Sequence, residues 1–245
     1  MKIGLMVTCI NDALYPSTGI AVVKVLERLG HEVYFPEAQS CCGQMHLNSG
    51  YRQEGIELAK RSIEIFADFD YVVSPSASCV GTIREVYHNA AISTGDVAFE
   101  DVSREFSPKV FEFSEFLIDV LEVEDVGATF PHRVAYHPTC HSLRVTRAGD
   151  RPKRLLSAVK NLQLIEIERQ DSCCGFGGVF ALKNSDTSIA MGSDKFTSVK
   201  NSGAEVLCSL DNSCLTHIGG IAEKMKSGIR VMHLAEILAQ TGDEK

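Results

Sequence analysis

Two adjacent cysteines followed by glycine occur twice, as Ser40-Cys41-Cys42-Gly43 and Ser172-Cys173-Cys174-Gly175, 132 positions apart. Each pair has a lone cysteine upstream, Cys9 or Cys140, and another downstream, Cys79 or Cys214. The upstream gaps are 32 and 33 positions, and the downstream gaps are 37 and 40. Four thiols repeated at such constant spacing mark an internal duplication and point to two metal or iron–sulfur sites.

The duplication divides the 245 residues into two units, residues 1–128 and 129–245, each of ordinary domain size. A chain of this length buries a sizeable core without covalent staples, so nine cysteines are not needed for stability. The formal net charge of −8 and the lack of a basic run argue against nucleic acid as a partner. No apolar stretch approaches the roughly 20 residues of a membrane span. The apolar run before Cys9 is too short for a signal peptide and lacks a cleavage region. The expected location is therefore the cytoplasm. In that reducing compartment clustered cysteines read as ligands or redox groups rather than disulfides.

Short β-rich runs alternate with helical patterns. In the first half, strands are expected at Ile3–Thr8, His31–Pro36, Tyr71–Ser74 and Val110–Phe113. Helical spacing covers Ile20–Leu29, Glu54–Phe66 and Cys79 to about His88, with a last helix starting at Ser114 as N-cap. In the second half, Arg133–His137, Leu164–Ile167, Val206–Leu210 and Arg230–Met232 repeat the strand order. Both halves close alike, with Lys109-Val-Phe-Glu-Phe-Ser-Glu-Phe-Leu and Arg230-Val-Met-His-Leu-Ala-Glu-Ile-Leu. The first half carries an extra segment, roughly Ile92 to Ser107, and the linker lies near Asp125 to His132. The pattern predicts an α/β protein: two tandem-duplicated, small, doubly wound domains with mostly parallel sheets. It places all eight repeated cysteines at the carboxyl ends of strands, where open α/β sheets bind ligands.

Four thiolates suit an iron–sulfur cluster or a tetrahedral zinc. Adjacency favours the cluster, because consecutive side chains diverge and reach different atoms of a larger group. Zinc sites space their paired cysteines by two to four residues. Zinc in one repeat, and thiols without metal, remain the alternatives. Gly43 and Gly175 allow positive φ just past each pair. Cys208 falls inside a buried strand and reads as packing. His137 and His141 flank Cys140, as ligands, donors to cluster sulfurs, or strand-end groups. His46, His217 and His233 have no convergent partner in the sequence, and Arg144 reads as a cation near the site or a solvated helix residue. There is no Gly-x-Gly-x-x-Gly after the first strand and no phosphate loop, which argues against a nucleotide cofactor.

The chain resembles the CCG (cysteine-rich) iron–sulfur family, whose members include subunits of heterodisulfide reductase and glycolate oxidase. The resemblance covers essentially the whole chain. It rests on Gln39-Ser-Cys-Cys-Gly43, His137-Pro-Thr-Cys-His141 through Arg144, Asp171-Ser-Cys-Cys-Gly-Phe-Gly-Gly-Val-Phe180 and Phe113-Ser-Glu-Phe-Leu117. Within the family it looks most like the lactate-utilisation branch, the LutA, LldE and YkgE proteins. The resemblance implies an iron–sulfur electron-transfer subunit, inactive alone, of an oxidoreductase that converts L-lactate to pyruvate with LutB-like and LutC-like partners. It implies one cluster, of [4Fe–4S] type, on Cys9, Cys41, Cys42 and Cys79, and another on Cys140, Cys173, Cys174 and Cys214. A thiol/disulfide redox subunit and a zinc-stabilised interaction module are the alternatives. Where the wider family has Cys-x-x-Cys, this chain has Ser76-Ala-Ser-Cys79 and Asp211-Asn-Ser-Cys214, so each repeat lacks one family cysteine. Ser76 and Asp211 then read as helix caps or as oxygen ligands.

Overall fold

The computed structural model describes residues 1–242. Eight short strands form two sheets of four. The first holds β1 (Ile3–Leu5), β2 (Val33–Tyr34), β3 (Tyr71–Ser74) and β4 (Val110–Glu112) in the order β2-β1-β3-β4. The second holds β5 (Arg133–His137), β6 (Gln163–Ile165), β7 (Val206–Ser209) and β8 (Arg230–His233) in the order β6-β5-β7-β8. Every pairing is parallel. The registers match as well: Ile3 lies beside Tyr71 in the first sheet, and Val134 beside Val206 in the second. The expected tandem α/β architecture is therefore the observed one.

Strand alternation sends side chains to two faces. Ile3, Leu5 and Val73 of the first sheet, and Val134, Tyr136 and Cys208 of the second, enter one apolar layer common to both repeats. The opposite faces are covered separately, by Ile63, Phe66 and Ile83 on the first sheet and by Phe196, Val199 and Ile218 on the second. The helix Pro16–Arg28, which follows β1, packs on Leu234–Ala239, which follows β8. Reciprocally, Arg151–Ala158 packs on the helical turn that follows β4. Polar ties cross the same seam. Arg28 donates to the carbonyls of Val126, Leu238 and Ala239, and Glu236 accepts from Ser17 and Thr18.

Several boundaries differ from the sequence reading. The strand from Ile3 ends at Leu5, and β2 has only two residues. Gln39 takes over where that ladder stops, accepting from Val7 N at 2.8 Å and donating to Leu5 O at 3.0 Å. The helix after β4 begins at Phe113, not beyond Ser114, because Glu112 is its N-cap and Glu115 closes a capping box. It then widens into a π-turn over Phe116–Val120. His233 and Glu236 form the same box in the second repeat. The helix from Cys79 stops at Glu85 and restarts as Tyr87–Ile92. The extra segment contains the helix Val97–Phe106, capped by Asp96, whose Phe99 and Phe106 complete the outer core of the first sheet.

Candidate metal centres

The strand ends assemble each thiol set in the same way. Cys9 and Cys140 open the helices Cys9–Leu14 and Cys140–Arg144, just after β1 and β5. Cys79 and Cys214 lie in the first turns of Ala77–Glu85 and Asn212–Lys224, just after β3 and β7. The adjacent pairs sit in the loops after β2 and β6. Four of the eight thus stand at helix N-termini, where unpaired N–H groups and the helix dipole favour negative charge.

Each pair spans its set. Cys41 Sγ lies 3.6 Å from Cys9 Sγ, while Cys42 turns to Cys79. In the second set Cys173 meets Cys140 and Cys174 meets Cys214. The adjacent pair thus occupies the middle of each four-thiol row, its two sulfurs bonding one another and each reaching a different lone cysteine. The inner thiols, Cys42, Cys79, Cys174 and Cys214, are buried. The outer ones, Cys9, Cys41, Cys140 and Cys173, keep partial or full exposure.

Hydrogen bonds from neighbouring thiols set the protonation pattern. Cys41 is driven far below the usual thiol range by bonds from Cys42 and Cys9, and the Gly43 N–H adds to this at 3.4 Å. Cys173 is driven down by Cys140 and Cys174, with the Gly175 N–H at 3.3 Å. Their donors Cys9, Cys42, Cys140 and Cys174 are correspondingly pushed up.

Both glycines after the pairs are required. Gly43 and Gly175 adopt φ of 80° and 89°. A Cβ there would also lie 2.9 Å from Gly55 O or 2.5 Å from Ser188 O. The matched close approaches align Ser62 with Lys195, one turn or two further along the packed helices. Lys195 is 1% exposed and donates to the carbonyls of Arg169 and Gln170 at 2.7 and 3.0 Å, pinning the loop that leads to Cys173. Burial lowers its pKa from the usual value.

All eight cysteines line one cavity of about 500 Å³ between the repeats. Its floor is polar and crosses the seam. The Asp211 carboxylate accepts from Ser76 Oγ at 3.0 Å, Ser78 N at 3.0 Å, Ser78 Oγ at 2.8 Å and Thr139 Oγ at 2.7 Å. Asp211 therefore caps the helix of the opposite repeat rather than its own. Ser76 caps its own helix through Cys79 N. Ser76 and Asp211, each three positions before the last cysteine of its set, thus join the repeats. Asn212 donates to Asn11 Oδ1 and Thr18 Oγ beside them.

The remaining candidates separate cleanly. Cys208 is fully buried on β7 within the shared core. His141 bonds Gln44 across the cavity at 3.0 Å. Arg144 is near enough to Cys140 to oppose the rise of its pKa. His217 bonds Ser188, and His233 accepts from Ala235 N in its capping box. His46 Nδ1 is buried without a hydrogen-bond partner among the described residues. His137 is 1% exposed, with both ring nitrogens unpartnered among the described residues. Its pKa falls to about 3, from burial first and then from the nearby Lys195 ammonium. Sequence reasoning missed the cross-repeat role of Asp211, and it missed Lys195. The latter had a signal: Ser188, Gly192, Lys195 and Val199 make a buried helical stripe with one charge in it.

These features define a two-repeat α/β protein with a four-thiol set at the matching edge of each sheet. The cysteine-rich domain (CCG) model matches residues 3–84 and 134–219, and the chain belongs to that family. It is 44% identical over 238 residues to lactate utilization protein A of Geobacillus kaustophilus (strain HTA426), covering 97% of this chain and 98% of that one. It is 43% identical over 238 residues to lactate utilization protein A of Bacillus subtilis (strain 168), covering 97% and 99%. Among solved structures it is similar to a putative Asp/Glu racemase from Yersinia pestis at a TM-score of 0.38 and 12% identity, covering 98% of this chain and 96% of that one. No helix of the described residues is long and apolar enough to cross a membrane.

Proposed function

We propose that the chain is the electron-relay subunit of an oxidoreductase that converts L-lactate to pyruvate in the cytoplasm. One iron–sulfur cluster would sit on Cys9, Cys41, Cys42 and Cys79, and another on Cys140, Cys173, Cys174 and Cys214. The observation that carries this reading is the twofold convergence of four thiols on one cavity, two buried and two open in each set. The donor set fits such a group: four sulfurs, a backbone N–H aimed at one of them, and helix N-termini to balance the charge. The lactate-utilisation relatives support the substrate, and the cysteine-rich family supports a thiol-held group.

When bound, such clusters supply one-electron acceptance and release at potentials set by hydrogen bonding, charge and solvent exposure. Oxidation of lactate to pyruvate releases two electrons and two protons, so two one-electron sites in one subunit suit its division into single steps. This chain's own residues hold the sulfurs. Gln39 and Lys195 fix the two loops, Gly43 and Gly175 donate N–H bonds to sulfur, and Tyr87 donates to Cys42 O at 2.7 Å. The open outer thiols place one side of each site toward solvent or a docked subunit. LutB-like and LutC-like subunits are the proposed partners, on the likeness to lactate utilization protein A.

Anaerobic purification with iron, sulfide and zinc analysis, followed by EPR on reduction, tests the reading. Iron and sulfide at two clusters per chain with a reducible signal are expected. Stoichiometric zinc without iron would refute the relay.

A further inference from the structure

We propose that His137 is a fifth protein donor of the second site, binding its metal group through an imidazole nitrogen, so that the two repeats hold unlike groups. The inference rests on the reading that Cys140, Cys173, Cys174 and Cys214 hold metal. Three observations carry it. A ring nitrogen of His137 and the sulfurs of Cys174 and Cys214 all lie within 4.8 Å of one another, and all three residues are buried. Donor atoms bound to one ion at 2.0–2.3 Å stand roughly 3 to 4 Å apart, so a small shift closes this group around a metal.

The second observation is the empty hydrogen-bond inventory of the ring. Leaving a buried donor or acceptor unpaired costs about 1–3 kcal/mol, and both nitrogens of His137 lack partners among the described residues. The backbone meanwhile is fixed: His137 ends β5, and its carbonyl accepts from Ser209 Oγ at 2.8 Å. The ring is held in place for a partner that the described residues do not supply.

Thirdly, the duplication provides an internal control. The matched registers put Met6 at the position of His137, each three residues before the first cysteine of its set. Met6 is buried in the apolar cluster with Ala59, Ile63 and Val72. A frame required only to end a strand would not call for an unpaired imidazole in one copy and a thioether in the other. The nitrogen belongs to the second site alone.

Pulsed EPR on the reduced full-length protein, grown with or without ¹⁵N-histidine, tests this without altering the chain. We expect a metal-bound histidine nitrogen coupling that rescales on labelling. It should persist in Cys41→Ala, which leaves the second site filled, and vanish in Cys173→Ala. His137→Met should abolish it and weaken retention of second-site metal against a chelator by roughly tenfold or more. A spectrum unchanged by ¹⁵N-histidine, or a coupling that survives in His137→Met, overturns the proposal. If the chain holds zinc instead of iron, the relay reading fails separately. Zinc-edge absorption then decides the histidine question, with a nitrogen shell near 2.0 Å supporting it and an all-sulfur shell overturning it. A second site that takes up neither metal overturns both.

Discussion

Replacing Asp211 with alanine removes one carboxylate and strands donors on both repeats. Four hydrogen bonds end on it, three from Ser76 and Ser78 of the first repeat and one from Thr139 of the second. Ser78 is only partly buried, so water replaces the lost acceptor for its N–H and hydroxyl. Thr139 is 2% exposed and loses the acceptor of its hydroxyl, and Ser76, 6% exposed, is left with only the Ser78 hydroxyl at 3.2 Å. At about 1–3 kcal/mol for each orphaned buried donor, the loss comes to roughly 3–4 kcal/mol. In a chain of this size that lowers Tm by about 6–16 °C. Urea unfolding of the metal-free chain measures it, with an unchanged slope against urea showing that the same surface is exposed. Ser76→Ala should cost about 1 kcal/mol alone and less again in the Asp211→Ala background, since the two share one bond. A loss below about 1 kcal/mol for Asp211→Ala, or strict additivity with Ser76→Ala, would refute the bridge.

Cys41→Ala or Cys173→Ala should each lower bound iron by about half; unchanged iron content removes that cysteine from the ligand set. Gly175→Ala forces a Cβ to 2.5 Å from Ser188 O at positive φ, and should destabilise by about 2–4 kcal/mol and empty the second site, as read by chemical unfolding and metal content. Burial pushes the Glu112 carboxyl up to about 8 from 4.5, so it keeps its proton in the folded chain while the unfolded chain ionises. Stability should therefore fall as pH rises from about 4.5 to 8, by roughly 3–5 kcal/mol, and level off above; Glu112→Gln should flatten that slope in pH-dependent unfolding curves. The Lys195 ammonium lies near Cys173 and Cys174 with only Ser62 at the matching place in the first repeat, so it favours the reduced, more negative state of the second site. Lys195→Met should lower the second potential and spare the first in a redox titration; an equal shift of both would mean a general loss of structure.

The parallel α/β architecture was legible because eight short apolar runs alternate with helical spacing, and the expected strands then placed every repeated thiol at a strand end; the order of strands in each sheet was not. What the sequence could not carry was direction across the seam. Asp211 stands where an ordinary N-cap would, and local rules assign it to its own helix. Its carboxylate instead serves Ser78 N, 133 positions away, because the repeats bring the two helix starts together over one cavity. Glu112 likewise displaced Ser114 as cap, since its buried carboxyl and Glu115 together satisfy two orphan N–H groups where the serine satisfies none.

The residues that break the twofold pattern are the informative ones. Duplication alone would keep like at like, as it does for the Cys-Cys-Gly pairs, the N–H bonds to Cys41 and Cys173, and the capping boxes. Against that frame, the second repeat replaces Met6 by His137, Ser62 by Lys195 and Ser76 by Asp211, and all three replacements are buried. Buried polar or charged groups cost stability unless they are paired, so random drift removes them rather than installs them. Two of the three have partners in the chain, Lys195 in a loop backbone and Asp211 in the other repeat. His137 has none among the described residues, and the thiols of Cys174 and Cys214 lie beside it. The asymmetry of the two centres follows from that: one frame, folded twice, with the second copy carrying a buried ammonium, a carboxylate and an imidazole at positions where the first has none.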